Sequence, residues 1–188
     1  METNNANTLF GLPTYNVKVN DVHQYYDDTC AIKSQEILMN ASGLNVTEEE
    51  LRFEAIQNGC YAPSVGTPME DVGKLMEAHG MDVQQQIHGS IFNLVSELSK
   101  GHPIIVGVDS GELWSPSANE SFEDIIKGPM ADHALIVTGI EFNENFNDGT
   151  VNLIDPGTGD FSIGYDIDQF CDAWDDSDNF MVSILNDF

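Results

Sequence analysis

The feature of this chain that most restricts its fold is a change of hydrophobic period near its midpoint. In the first half, apolar residues recur every three or four positions between helix start and stop signals. CAIKSQEILMNASG keeps Ile32, Gln35, Leu38 and Met39 near one face, has Asp28 or Thr29 as its N-cap, and stops at Gly43. NVTEEELRFEAIQNG carries a capping box, Thr47 with Glu50, and closes at Gly59. GTPMEDVGKLMEAHG predicts a third helix, with Thr67 as N-cap, Pro68 at the first helical position and Gly80 at the end, and SIFNLVSELSKG a fourth capped by Ser90.

After residue 102 the runs become short and rich in β-branched and aromatic residues. PIIVGVD (103–109), HALIVTGIEF (133–142), VNLID (151–155), FSIGY (161–165) and NFMVSIL (179–185) are expected as strands, with NDGT (147–150) as a hairpin turn. DIDQFCDAW (166–174) interrupts them with a helix capped by Asp166, and ELWSPSANESFED reads as a polar loop. Helices followed by a mostly antiparallel sheet define an α+β fold whose two parts meet along one interface. A chain of 188 residues, 41% hydrophobic, suits one domain. Residues 21–188 are expected to form it, behind an extended polar lead-in over 1–20 with an apolar contact at Leu9, Phe10 and Leu12.

Charge narrows the partners. Thirty-two acidic residues against six Lys plus Arg give a net charge of -26, a field that repels phosphate backbones and favours basic peptides or protein surfaces. No nucleic acid and no membrane segment are expected, since no run approaches the roughly 18 apolar residues a spanning helix needs. The N-terminus lacks a basic region followed by an apolar one, so the expected location is cytoplasmic, or outside the cell without a classical signal peptide. Cys30, Cys60 and Cys171 are an odd number without a CxxC pair, which suggests reduced thiols rather than a disulfide framework. The acidic clusters lack EF-hand spacing and there is no HExxH, so no cofactor and no metal are expected.

One cysteine is placed for chemistry. A thiol attacks as its thiolate, which a helix N-terminus and a neighbouring imidazolium both favour. Cys30 sits at the predicted start of the first helix, but Asp27 and Asp28 oppose a negative sulfur, so a histidine partner is needed. Among His23, His79, His88, His102 and His133, the last opens a strand and can project from a sheet edge. Asp155 closes the next strand before Pro156, and hairpin pairing brings it back beside His133, where a carboxylate can orient the ring. Gln24 precedes the nucleophile on the loop leading into its helix, where its amide can face a developing oxyanion together with the Cys30 N–H. Cys60 and Cys171 read as small buried hydrophobes.

The order Gln, five residues, Cys at a helix start, then a strand-initial His and an Asp-Pro resembles the papain-like cysteine peptidases, most closely the bacteriocin-processing type. QYYDDTC, GHPIIVGVD, DHALIVTGI and VNLIDPGTG carry the resemblance, which spans residues 24 to about 160. It implies a papain-like α+β fold with Cys30 as nucleophile, His133 as general base and acid, Asp155 as its orienting partner and Gln24 as oxyanion donor. The implied function is a peptidase acting on a peptide or protein substrate, basic in keeping with the acidic chain. The same fold and residues suit a deamidase or acyltransferase of the bacterial effector or toxin kind, and an inactive peptide-binding module is the third reading.

Overall fold

In chain order the elements are β1 (Thr8–Gly11), α1 (Cys30–Ala41), α2 (Glu48–Asn58), α3 (Lys74–Ala78), β2 (Val83–Gln86), α4 (Ile91–Ser99), β3 (Ile104–Val108), α5 (Ser110–Trp114), β4 (His133–Phe142), β5 (Gly149–Asp155), β6 (Asp160–Asp166), α6 (Ile167–Asp175) and β7 (Met181–Ile184). They come from a computed structural model, which describes residues 7–11, 21–114, 131–146 and 148–185. The strands form one sheet in the order β2-β7-β3-β4-β5-β6, and every pairing is antiparallel. The expected α+β class therefore holds.

β4 organises the sheet. One edge pairs with β5, and the other is shared, His133 to Val137 with β3 and Gly139 to Phe142 with β1. Its apolar run is nearly unbroken because both faces are covered: Ala134 and Ile136 pack on the α1–α3 side, Leu135 and Val137 on the side of α4 and α6. The single interface expected from the sequence is thus two, with the later helices closing the second face. Ile32, Leu38 and Met39 of α1 are fully buried, and truncating Leu38 to Ala would cost about 2–5 kcal/mol.

The helix boundaries follow their caps. Thr29 precedes α1, the Thr47–Glu50 capping box starts α2, and Ser90 and Asp166 cap α4 and α6 through side-chain oxygens that accept backbone N–H groups. The predicted third helix is broken. Met69–Asp71 is a single 3-10 turn, Val72 is extended, and Gly73, with φ of 107°, precedes the short α3. The Gly73 N–H is drawn to the buried Gln35 side chain at 3.0 Å, and a Cβ there would lie 3.2 Å from Val182, so tertiary contacts override the helical period.

Three elements were not expected from the sequence. Thr8–Gly11, within the predicted lead-in, adds β1 to the sheet, with Phe10 packed on the core and Leu9 43% exposed. VQQQ forms β2 by pairing with β7, and the start of the polar loop, Ser110–Trp114, is α5. Leu12, Asn147 of the hairpin turn and residues 115–124 of that loop lie outside the described residues.

Candidate active site

The loop before α1 is built from both halves of the molecule. The Gln24 N–H donates to Pro156 O at 2.9 Å, so this loop is tied directly to the end of β5. From the other side the buried Glu48 carboxylate accepts the Tyr25 N–H at 3.0 and 3.1 Å and the Thr29 hydroxyl at 2.5 Å. Those bonds fix the direction from which the chain enters α1, and with it the position of Cys30. As the first residue of α1, Cys30 has a backbone N–H with no intrahelical acceptor.

The sheet supplies the imidazole. His133 is the first residue of β4, opposite Val108, and is 8% exposed. Its Nε2 lies 2.7 Å from Asp155 Oδ1, which leaves Nδ1 for the Cys30 thiol that lines the same chamber and adds to the proton affinity of the ring. Burial disfavours the charged ring, but the Asp155 and Cys30 side chains outweigh it and raise His133 from 6.5 to about 9. Asp155 is fully buried at the end of β5. Burial pushes its carboxyl up, yet His133, the Trp114 indole and the Gly157 N–H together hold it below the usual carboxylate value.

The acid is well satisfied. Trp114 Nε1 donates to Asp155 Oδ2 at 2.9 Å, and Gly157 N donates to Oδ1 at 2.8 Å. The Trp114 ring also lies 5.2 Å from the His133 ring, centre to centre. Trp114 escapes a reading of the sequence because α5 is only five residues long and is held by distant groups. Asp132 accepts the Ser110 N–H at 2.9 Å, and Gln169 donates to Leu113 O at 2.8 Å. A tryptophan inside an otherwise polar loop was the one available signal.

Gly157 has a separate role. A Cβ built there would come within 3.0 Å of His133 Cε1 and 3.3 Å of both His133 Nε2 and Asp155 Oδ1. The Asp-Pro-Gly turn is therefore packed directly against the imidazole, and a side chain there would require the ring or its carboxylate to shift by a few tenths of an ångström.

Gln24 is buried on the loop facing His133. One amide proton goes to Tyr26 O at 2.8 Å, and its Oε1 is buried without a partner among the described residues. The cleft has two chambers that meet at His133. One, of about 390 Å³, is lined by Cys30, Ala31, Val65, Gly66, Met69 and Ala134 among others, and the second, of about 350 Å³, by Gln24, Tyr25, Trp114 and Gly157. Asp27 and Asp132 reach both.

The wall beside Cys30 is pinned. Asp28 accepts the Tyr61 hydroxyl at 2.8 Å and the Ser64 N–H at 2.5 Å, holding the Ala62–Gly66 turn against the loop that carries the thiol. The structure thus brings Gln24, Cys30 and His133 to one cleft, with Asp155 fully buried and bonded to His133. It keeps the other two thiols away from it: Cys60 is buried against Ala55 O, and Cys171 is pushed up to about 11 by burial and the surrounding acids of α6.

Several known proteins share this architecture. A C39-like peptidase assignment accompanies a crystal structure from Bacillus anthracis that is 12% identical, with a TM-score of 0.68, over 95% of this chain and 98% of that one. The peptidase domain of Streptococcus ComA, a bifunctional ABC transporter of a quorum-sensing pathway, aligns with a TM-score of 0.61 at 15% identity over 87% of this chain and 96% of its own. A double glycine motif protease from an AMS/PCAT transporter, solved with its leader peptide, gives 0.56 at 14% over 89% and 92%. Among sequences, an uncharacterised protein of Mycobacterium tuberculosis is 25% identical over 94% of this chain and 84% of its own. The pattern of the Peptidase C39 like family matches residues 13–180, nearly the whole chain, and the protein belongs to that family.

Proposed function

We propose that this protein is a cysteine peptidase that cleaves peptide bonds through a thioester on Cys30. The observation that carries the reading is the His133 ring, fixed by a buried carboxylate at 2.7 Å in the same chamber as the thiol at the start of α1. Cys30 gives its proton to His133 Nδ1, and the sulfur attacks the scissile carbonyl. The Cys30 N–H and the Gln24 amide donate to the resulting oxyanion. As the intermediate collapses, the C–N bond breaks, the leaving amine takes the proton from His133, and the acyl group stays on sulfur. Water, deprotonated by the same imidazole, then hydrolyses the thioester and restores the thiol. Asp155 keeps the ring in the tautomer that leaves Nδ1 toward sulfur and balances the imidazolium. The substrate is a peptide or protein segment that enters the cleft in extended form.

Alkylation by a small excess of iodoacetamide near pH 6, followed by peptide mapping, tests the activated pair. Cys30 should react well ahead of Cys60 and Cys171 and slow in His133→Ala; equal reactivity of the three would refute it. Products then fix the chemistry: a new N-terminus is expected, and a gain of about one mass unit at a Gln would show a deamidase instead.

A further inference from the structure

The leaving-group side of the cleft carries the features of a cation subsite. In thioester chemistry the acyl half of the substrate stays bonded to sulfur, so it occupies the chamber that Cys30 lines. The leaving half takes its proton from His133 and departs through the chamber that reaches His133 without Cys30. The two differ in lining. Val65, Met69, Ala31 and Ala134 give the acyl chamber an apolar side, whereas Tyr25, Trp114 and Gln24 line the other, with Asp27 and Asp132 reaching both.

That second chamber is rich in groups that attract a cation. Tyr25 is 83% exposed and Trp114 42%, so both present aromatic faces to a ligand. Gln24, 8% exposed, also lines it. Asp27 and Asp132 line it as well; Asp27 is exposed, and among the described residues Asp27 takes no hydrogen bond and Asp132 takes them only from Ser110. No described Lys or Arg lines it, and the His133 imidazole is already paired with Asp155.

We infer that this chamber, bounded by Asp27, Asp132, Tyr25 and Trp114, binds a Lys or Arg side chain of the substrate on the C-terminal side of the scissile bond. The inference rests on the peptidase reading for its orientation, and binding can be measured without turnover. The chain has two tryptophans, and Trp174 is buried at 1% exposure, so a ligand in this chamber is reported by Trp114 emission.

The test titrates the intact reduced protein with arginyl-glycinamide, glutamyl-glycinamide and leucyl-glycinamide at low ionic strength. The arginyl probe should bind at least 10-fold more tightly than the other two, and Asp27→Asn should weaken it at least 5-fold. Glu144→Gln removes the same charge beyond the far end of β4, about 30 Å from His133 along the strand, and should change binding less than 2-fold. Equal affinity for the three probes would overturn the subsite. So would an equal loss in both variants, which would make the attraction a property of the whole acidic molecule. Cleavage of a mixed peptide library separates the two readings. Cutting without Lys or Arg enrichment after the cut refutes the subsite and keeps the peptidase; tight arginyl binding without any cutting does the reverse.

Discussion

Two regions of this molecule hold a buried histidine against a carboxylate, and the two are assembled in different ways. At the end of α4, His102 is 5% exposed and its Nδ1 lies 3.2 Å from Glu97 Oε2, five residues back in the chain. At the head of β4, His133 is similarly buried, but its carboxylate comes from another strand and its ring lines a cleft together with a thiol. His102 Nε2 is buried with no partner among the described residues. A local His–carboxylate pair closes a helix end; a pair assembled across a hairpin, in a cleft shared with a thiol, can move a proton.

The comparison is sharpest in the histidines themselves. His133→Ala should lower kcat by on the order of 10,000-fold or more. His102→Ala should leave kcat/KM within about 3-fold while lowering Tm, because it opens a cavity next to Leu98 and Glu97 rather than removing a base. Peptide turnover and thermal melts on both variants check this; equal losses of activity would end the distinction.

The acids come next. Asp155→Asn should cost about 100- to 10,000-fold in kcat with a smaller change in KM, since the ring loses its orienting charge. Glu97→Gln should show no comparable loss.

Trp114→Phe keeps an aromatic face and removes the indole donor to Asp155 Oδ2. A hydrogen bond to a charged group is worth about 1.5–3 kcal/mol, so a fall of about 10-fold or more in kcat is expected in steady-state assays.

The smallest effect is on stability. Folding raises the proton affinity of His133, so its contribution is complete below its ordinary value of 6.5 and is lost as the pH rises through about 9. Tm of the wild type should decline over that window, and the decline should flatten in His133→Gln.

How much of this could be read in the sequence depends on how local the determinants are. β4 and β5 were legible because each ends in turn chemistry and keeps its β-branched run, and the hairpin between them puts His133 and Asp155 side by side. α2 was legible from its own capping box. Trp114 was not, since it reaches Asp155 only through a five-residue helix that Asp132 and Gln169 hold from elsewhere in the chain. Glu48 shows the same limit: in the sequence it is one of three glutamates opening α2, and only the folded molecule turns it inward to Tyr25 and Thr29. The break at Gly73 and the pairing of VQQQ with β7 likewise depend on partners more than thirty residues away.

The crowding at Gly157 bears on how relatives of this protein are to be judged. A chain that keeps Cys, His, Asp and Gln at the corresponding positions but has even a methyl group after its Asp-Pro would press on the imidazole from behind. An inventory of those four side chains alone would not register that displacement of the ring. The residue after Asp-Pro is thus a position to inspect beside them, and a Gly157→Ala protein would show how far the ring can give.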